Sequence, residues 1–210
     1  MIRHILFDLD CTLYSVRYGL EEKVGSRIQE FIISWFNVSP EESSRLRSEA
    51  LKNYGTTIEW LINERGFGAV DKYEAYIHPE YEADSLPPDP ELRRFIEALP
   101  CPCSVLTNAP TFHAKRIINK LGLEGLFQWV FDIQSTGYKG KPQAVAYRKA
   151  LDTLDLKPEE VLFIDDKPIY VEGYLALGGR GILLDETDLY EDYGGERVKN
   201  LQELTRFLTP

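Results

Sequence analysis

The chain has 210 residues, 43% of them hydrophobic, which suffices for one substantial core, or one core with a smaller module, and excludes a disordered protein. Lys and Arg total 24 against 34 Asp and Glu, and the formal net charge of −10 opposes a nucleic acid polymer or an anionic membrane as partner. Apolar runs fall well short of the roughly 20 residues that cross a bilayer, and Cys11, Cys101 and Cys103 are an odd set that forms no disulfide framework, so a cytoplasmic protein is expected.

Ile2 to Phe7 is the first apolar run and reads as a buried strand that ends in Asp8-Leu9-Asp10-Cys11-Thr12. Two carboxylates then lie at a strand's C-terminal end, where open α/β sheets hold ligands. A carboxylate such as Asp8 is ionised at neutral pH and can attack phosphorus, giving a mixed anhydride that water cleaves. Asp10, crowded by Asp8 and a bound phosphate, resists full ionisation and can protonate a leaving oxygen before activating water. By itself the pair can equally be a turn or a helix cap.

From residue 15 to 92 helical periodicity runs without a convincing strand. Leu20, Val24, Ile28, Phe31, Ile32 and Trp35 form one apolar stripe. Ser39-Pro40-Glu41-Glu42 has a capping-box arrangement with Pro at the first helical position, and Ile58, Leu61 and Ile62 mark a further helix before Gly66. Within this insert Tyr18, Tyr54 and Trp60 offer flat faces for stacking on a base or for packing the insert itself, while Thr56 and Glu59 can hydrogen-bond a base edge or ribose.

The strand pattern resumes at Ser104 to Leu106, after Cys101-Pro102-Cys103, which reads as a strand start because no second Cys or His pair completes a metal site. Thr107 and Asn108 follow, before a helix beginning near Pro110 whose Ala114, Ile117, Ile118 and Leu121 share one face ahead of Gly122. Thr107 can donate to a phosphoryl oxygen that the helix's positive end also favours, or Thr107 and Asn108 can simply cap the helix. Trp129 to Ile133 is the third apolar run. Gly140-Lys141-Pro142 then precedes a helix marked by Tyr147, Leu151 and Leu154; Lys141 can offset the negative charge of two carboxylates and a phosphate, or be a solvated lysine like Lys139. Val161 to Ile164 ends in Asp165 and Asp166, hard oxygen ligands that suit Mg²⁺ beside a phosphate or, alternatively, a helix cap. Gly181 to Leu184 is the fifth run. Strands alternating with helices of this length imply right-handed crossovers and an α/β fold, a Rossmann-like parallel sheet with helices on both faces.

The four elements together, each at a strand end and in this order, resemble the haloacid dehalogenase superfamily of phosphatases. The resemblance implies a core from residues 1–14 and 93–210, a helical cap from 15–92, and a small phosphomonoester as substrate. It makes Asp8 the nucleophile, Asp10 the acid and base, Thr107 and Lys141 the phosphate clamps, and Asp165 with Asp166 the acidic metal-binding pair, Mg²⁺ also meeting Asp8 and a main-chain oxygen at Asp10. The second aspartate, Asp10, argues against the dehalogenase branch. Tyr14, the segment Lys52-Asn53-Tyr54-Gly55 and Asp84-Ser85-Leu86-Pro87 are similar to the pyrimidine 5′-nucleotidase branch, which implies a pyrimidine nucleoside monophosphate; Cys11 stands where that branch usually has Asn. A sugar-phosphate phosphatase or phosphomutase, or an idle phospho-ligand sensor on the same fold, are the alternatives. His4, His78 and His113 share no metal-ligand spacing and read as surface or packing histidines, and the acidic stretch from Asp185 to Glu196 reads as a solvated face or a docking surface.

Overall fold

The computed structural model describes residues 1–208. Its strands are β1 (His4–Phe7), β2 (Cys103–Leu106), β3 (Val130–Phe131), β4 (Val161–Asp165), β5 (Arg180–Leu184) and β6 (Arg197–Val198). All pair in parallel, in the order β3-β2-β1-β4-β5-β6, with Phe7 opposite Val105 on one side and Ile164 on the other. The helices are α1 (Leu20–Phe36), α2 (Pro40–Tyr54), α3 (Thr57–Arg65), α4 (Val70–Ile77), α5 (Pro90–Glu97), α6 (Thr111–Leu121), α7 (Ala144–Leu154), α8 (Pro168–Leu175) and the short α9 (Thr205–Leu208). No described helix is long and apolar enough to cross a membrane.

The twofold period of a strand divides β1 and β4 between two apolar layers. Ile5, Phe7, Leu162 and Ile164 pack with Ala114, Ile117 and Leu121 of α6, whereas Leu6, Val161 and Phe163 pack with Tyr147 and Leu151 of α7 and Tyr174 of α8. Burial on both faces is why these strands read as continuous apolar runs. The insert has an apolar cluster built from Phe31, Ile32, Leu46, Ile58, Leu61 and Tyr73 among others, which also takes in Ile133 from the sheet domain. Its helix ends follow local chemistry. Ser39 accepts from the Glu42 amide ahead of α2, Thr56 does the same from Glu59 ahead of α3, and Gly66 closes α3 at φ 59°.

Four details depart from the expectation. The third run shortens to two residues, leaving Trp129 about half exposed. Helices α4 and α5 were not marked by periodicity; α5 depends on Asp89, which accepts from the Glu91 and Leu92 amides, and the expected limit at residue 92 falls inside it. β6 lies beyond the five expected strands. The acidic stretch before it is not simply a solvated face, because buried Asp185 accepts from the Leu189 and Tyr190 amides and pairs with Arg197.

His4, on β1, is 2% exposed and shares a 2.9 Å hydrogen bond with Ser104. Burial disfavours its imidazolium and lowers its pKa from 6.5 to about 4. Between these values the unfolded chain binds the extra proton, so His4 contributes stability that is complete above pH 6.5 and declines as pH falls toward 4. Chemical denaturation across this window is expected to show a shallower decline for His4→Gln, which keeps a donor to Ser104 without the titration. The difference in slope should amount to up to about 3 kcal/mol across the window, and parallel curves would remove His4 as the source.

Candidate active site

The C-terminal ends of β1, β2 and β4 converge on one cavity of about 180 Å³. The core lines it with Asp8, Asp10, Thr107, Asn108, Lys141 and Asp166, and the insert with Val24, Ile28, Arg47, Thr56, Tyr73 and Glu74 among others. Asp8 is fixed at the end of β1 by its amide, which donates to Ile164 O at 2.8 Å. The chain then turns sharply. Leu13 N returns to Leu9 O, and Cys11 sits in the left-handed region at φ 59°. Asn tolerates that conformation better than most residues, so Cys11 is a less favoured occupant of this turn.

Lys141 is fully buried, and its Nζ lies 2.5 Å from Asp8 Oδ1 and 2.6 Å from Asp165 Oδ2. Its backbone is pinned at both ends by Asn108, whose Nδ2 donates to Lys141 O and whose Oδ1 accepts from Lys141 N. Gly140 permits this clamp, since a Cβ there would lie 2.5 Å from Asn108 Oδ1. Asp165 also accepts from the Lys167 amide, so its carboxylate is committed to orienting its neighbours, whereas Asp166 faces the cavity. Thr107 lines the cavity, and its Oγ1 accepts from Ala109 N at the start of the turn into α6.

Asp8, Asp165 and Asp166 each bring a carboxylate oxygen within 4.8 Å of the others. Burial raises the pKa of Asp8, with Asp165 and Asp10 adding to the rise and Lys141 opposing it. Burial likewise raises Asp166, reinforced by Asp165 and Asp8. Lys141, and Lys167 beside Asp166, do not offset these carboxylates, and the cluster keeps surplus negative charge. An all-oxygen donor set in that condition fits a hard divalent cation such as Mg²⁺.

Asp10 has a different environment. Its Oδ1 accepts from Tyr14 Oη at 2.6 Å and pairs with His113 Nε2 at 2.8 Å. The expectation that Asp10 resists full ionisation is corrected: burial pushes its carboxyl up, but the charge and hydrogen bond of His113, with help from Tyr14, carry it well below the usual carboxylate range. His113 Nδ1 meets Glu82 Oε1 at 2.7 Å, and His78 Nδ1 meets Glu82 Oε2 at 2.9 Å. Burial alone would lower the pKa of His113, and Asp10 and Glu82 outweigh it, raising the value to about 10. The expectation that His78 and His113 are surface or packing residues is thus corrected; both are buried and tied to Asp10 directly or through Glu82. His4 alone packs as expected.

The insert residues expected to touch substrate are largely elsewhere. Tyr18 stands outside the cavity and is 37% exposed. Tyr54 does not line it either, its hydroxyl donating to Glu64 at 2.6 Å. Trp60 is buried in the insert's own core against Phe36, with Arg65 over its face, because Ile58 and Leu61 beside it make that side of α3 apolar. Glu59 is buried and bonded to the Gln143 side chain. Only Thr56 reaches the cavity, with its hydroxyl engaged in capping α3.

Comparison with known proteins agrees with this architecture. The chain is similar to the glyceraldehyde 3-phosphate phosphatase of Methanocaldococcus jannaschii, 25% identical over 97% of this chain and 96% of the relative. Among solved structures, CbbY from Rhodobacter sphaeroides in complex with phosphate superposes with a TM-score of 0.67 at 17% identity, covering 97% of this chain and 96% of that one. A haloacid dehalogenase-type phosphatase from Thermococcus onnurineus gives 0.66 at 17% identity, and the L-2-haloacid dehalogenase of Xanthobacter autotrophicus 0.63 at 17%, each covering 99% of this chain and 98% of that one. At such identities these structures speak for the fold alone. The model of the haloacid dehalogenase-like hydrolases matches residues 2–178, a span that takes in every strand-end carboxylate of the cavity, and the chain belongs to that family.

Proposed function

We propose that this chain hydrolyses small phosphomonoesters, with Asp8 as nucleophile. The observation that carries the reading is the convergence of Asp8, Asp10, Lys141 and Asp166 on one cavity at the strand ends, with Asp165 bonded to Lys141 behind it. Asp8 attacks phosphorus as the bond to the leaving oxygen breaks, and Asp10, ionised in the free site, gives that oxygen the proton it takes up when the anionic phosphate binds beside it. Asp10 then takes a proton from the water that cleaves the aspartyl-phosphate. Thr107 and Lys141 hold phosphoryl oxygens, Lys141 anchored by Asp165 and Asn108. Mg²⁺ would be held by Asp8, a main-chain oxygen at Asp10 and Asp166, and would there draw negative charge from the phosphoryl group. Residues 15–92 serve as a cap that encloses the substrate and excludes water.

Among phosphomonoesters we favour a short, hydroxylated sugar phosphate over a pyrimidine nucleoside monophosphate. Tyr18, Tyr54 and Trp60 are not placed to stack on a base, and the cavity, about 180 Å³, suits a few carbons better than a nucleoside. Buried Glu74 Oε1 and Arg47 Nε have no hydrogen-bond partner, and both residues line the cavity, offering an acceptor and a donor to substrate hydroxyls. The M. jannaschii relative, named for a three-carbon phosphate, points the same way.

Phosphate release from p-nitrophenyl phosphate with and without Mg²⁺ tests the first claim, and absence of turnover across a broad phosphomonoester panel would return the chain to the status of a phospho-ligand sensor. For the second, kcat/KM for glyceraldehyde 3-phosphate and glycerol 3-phosphate should exceed that for UMP and CMP by about tenfold or more. The reverse order would restore the nucleotidase reading.

A further inference from the structure

We propose that His113, itself held by Glu82, is a positioning residue that presents one oxygen of Asp10 to the substrate, an inference that rests on the acid and base role assigned to Asp10. The two carboxylate oxygens of Asp10 differ in their surroundings. Oδ1 is held twice, by His113 Nε2 at 2.8 Å and Tyr14 Oη at 2.6 Å. Oδ2 has no hydrogen bond to a side chain or amide among the described residues, and Asp10 lines the cavity. Anchoring Oδ1 fixes the plane of the carboxylate and leaves Oδ2 as the oxygen that exchanges a proton with the leaving group and with water. Proton transfer requires that kind of orientation, because a misplacement of about 1 Å can cost a hundredfold in rate.

His113 is itself prevented from rotating. It lies near the start of α6, is 1% exposed, and bonds through Nδ1 to Glu82 Oε1 at 2.7 Å. Glu82 is in turn held by His78 Nδ1 at 2.9 Å and Arg116 Nη1 at 2.5 Å. His78 and Glu82 belong to the segment that returns from the insert to the sheet, so the orientation of Asp10 depends on that segment being docked on α6. His78, Glu82 and His113 also lie close enough together to ligate a metal. The geometry instead satisfies them through one another, with the Arg116 guanidinium already supplying positive charge to Glu82.

The test compares kcat/KM, which reports the steps up to formation of the aspartyl-phosphate, for p-nitrophenyl phosphate and glycerol 3-phosphate at saturating Mg²⁺. A nitrophenolate leaves without help, whereas an alkoxide needs Asp10 to protonate it. His113→Ala should therefore lose about a hundredfold or more on glycerol 3-phosphate and less than tenfold on p-nitrophenyl phosphate, within the range general acid catalysis supplies. His113→Gln, which keeps a neutral donor near Asp10, should recover at least tenfold of the alkyl-ester loss. Glu82→Gln should show the same asymmetry in smaller measure, and it and His113→Gln decide the matter where His113→Ala does not fold. Equal losses on the two esters in variants that keep the parent's thermal midpoint, or no loss at all, would overturn the proposal. Asp10→Asn separates the two levels. If it too shows no dependence on the leaving group, the acid role of Asp10 fails; if it shows that dependence while the His113 variants do not, only the positioning role fails.

Discussion

Asp8→Asn is expected to lower kcat by about 10⁴-fold or more while leaving the fold intact. The amide keeps the shape of the carboxylate, so the main-chain bond from Asp8 N to Ile164 O and the packing around β1 persist. It lacks the charge to attack phosphorus, and no neighbouring carboxylate can take over. Asp165 is fully buried and bonded to Lys141 and the Lys167 amide, Asp10 is held through Oδ1 by Tyr14 and His113 for proton transfer, and Asp166 is placed to hold the metal. The stability effect should have the opposite sign to the activity effect. Burial and the nearby Asp165 and Asp10 raise the pKa of Asp8, which means that together they disfavour its charged form more than Lys141 favours it. Removing the charge relieves that, and the thermal midpoint should hold or rise. Phosphate release and thermal unfolding on one preparation check both halves, and residual turnover above about a hundredth of the parent's would contradict a covalent role for Asp8.

The strand-end residues behind that prediction are legible in sequence because most of them follow an apolar run. Asp8, Thr107, Lys141, Asp165 and Asp166 announce themselves where a buried strand or a loop feeding a helix gives way to polar chemistry, and parallel packing then brings those ends together. The link from His113 to Asp10 spans 103 residues and leaves no local trace. Nothing in the spacing of three histidines distinguishes one that packs beside Ser104 from one that holds a carboxylate. The insert aromatics fail for a related reason. Trp60 sits beside Ile58 and Leu61 and is drawn into the insert's core by the same apolar face that makes α3 detectable, so the pattern that reveals the helix cannot say which aromatic remains for a ligand. β6, with two residues, is too short for any twofold pattern to register.

Lys141→Met is expected to abolish turnover and also to destabilise the fold, and a second substitution separates the two effects. The lysine is fully buried between Asp8 and Asp165, and removing it strands both carboxylates without their counter-charge. Breaking a buried ion pair from one side costs about 3–5 kcal/mol, most of it from the charge left behind. Asp165 is the more enclosed of the two, with no exposed surface, so Lys141→Met combined with Asp165→Asn should recover more than half of the lost stability. Activity should not return with it, because the ammonium that would clamp a phosphoryl oxygen is still missing. Chemical denaturation gives the first comparison and phosphate release the second. Recovery of turnover in the double variant would show that Lys141 serves only to neutralise Asp165, and a single variant as stable as the parent would show that Mg²⁺ or solvent, not Lys141, balances the buried carboxylates.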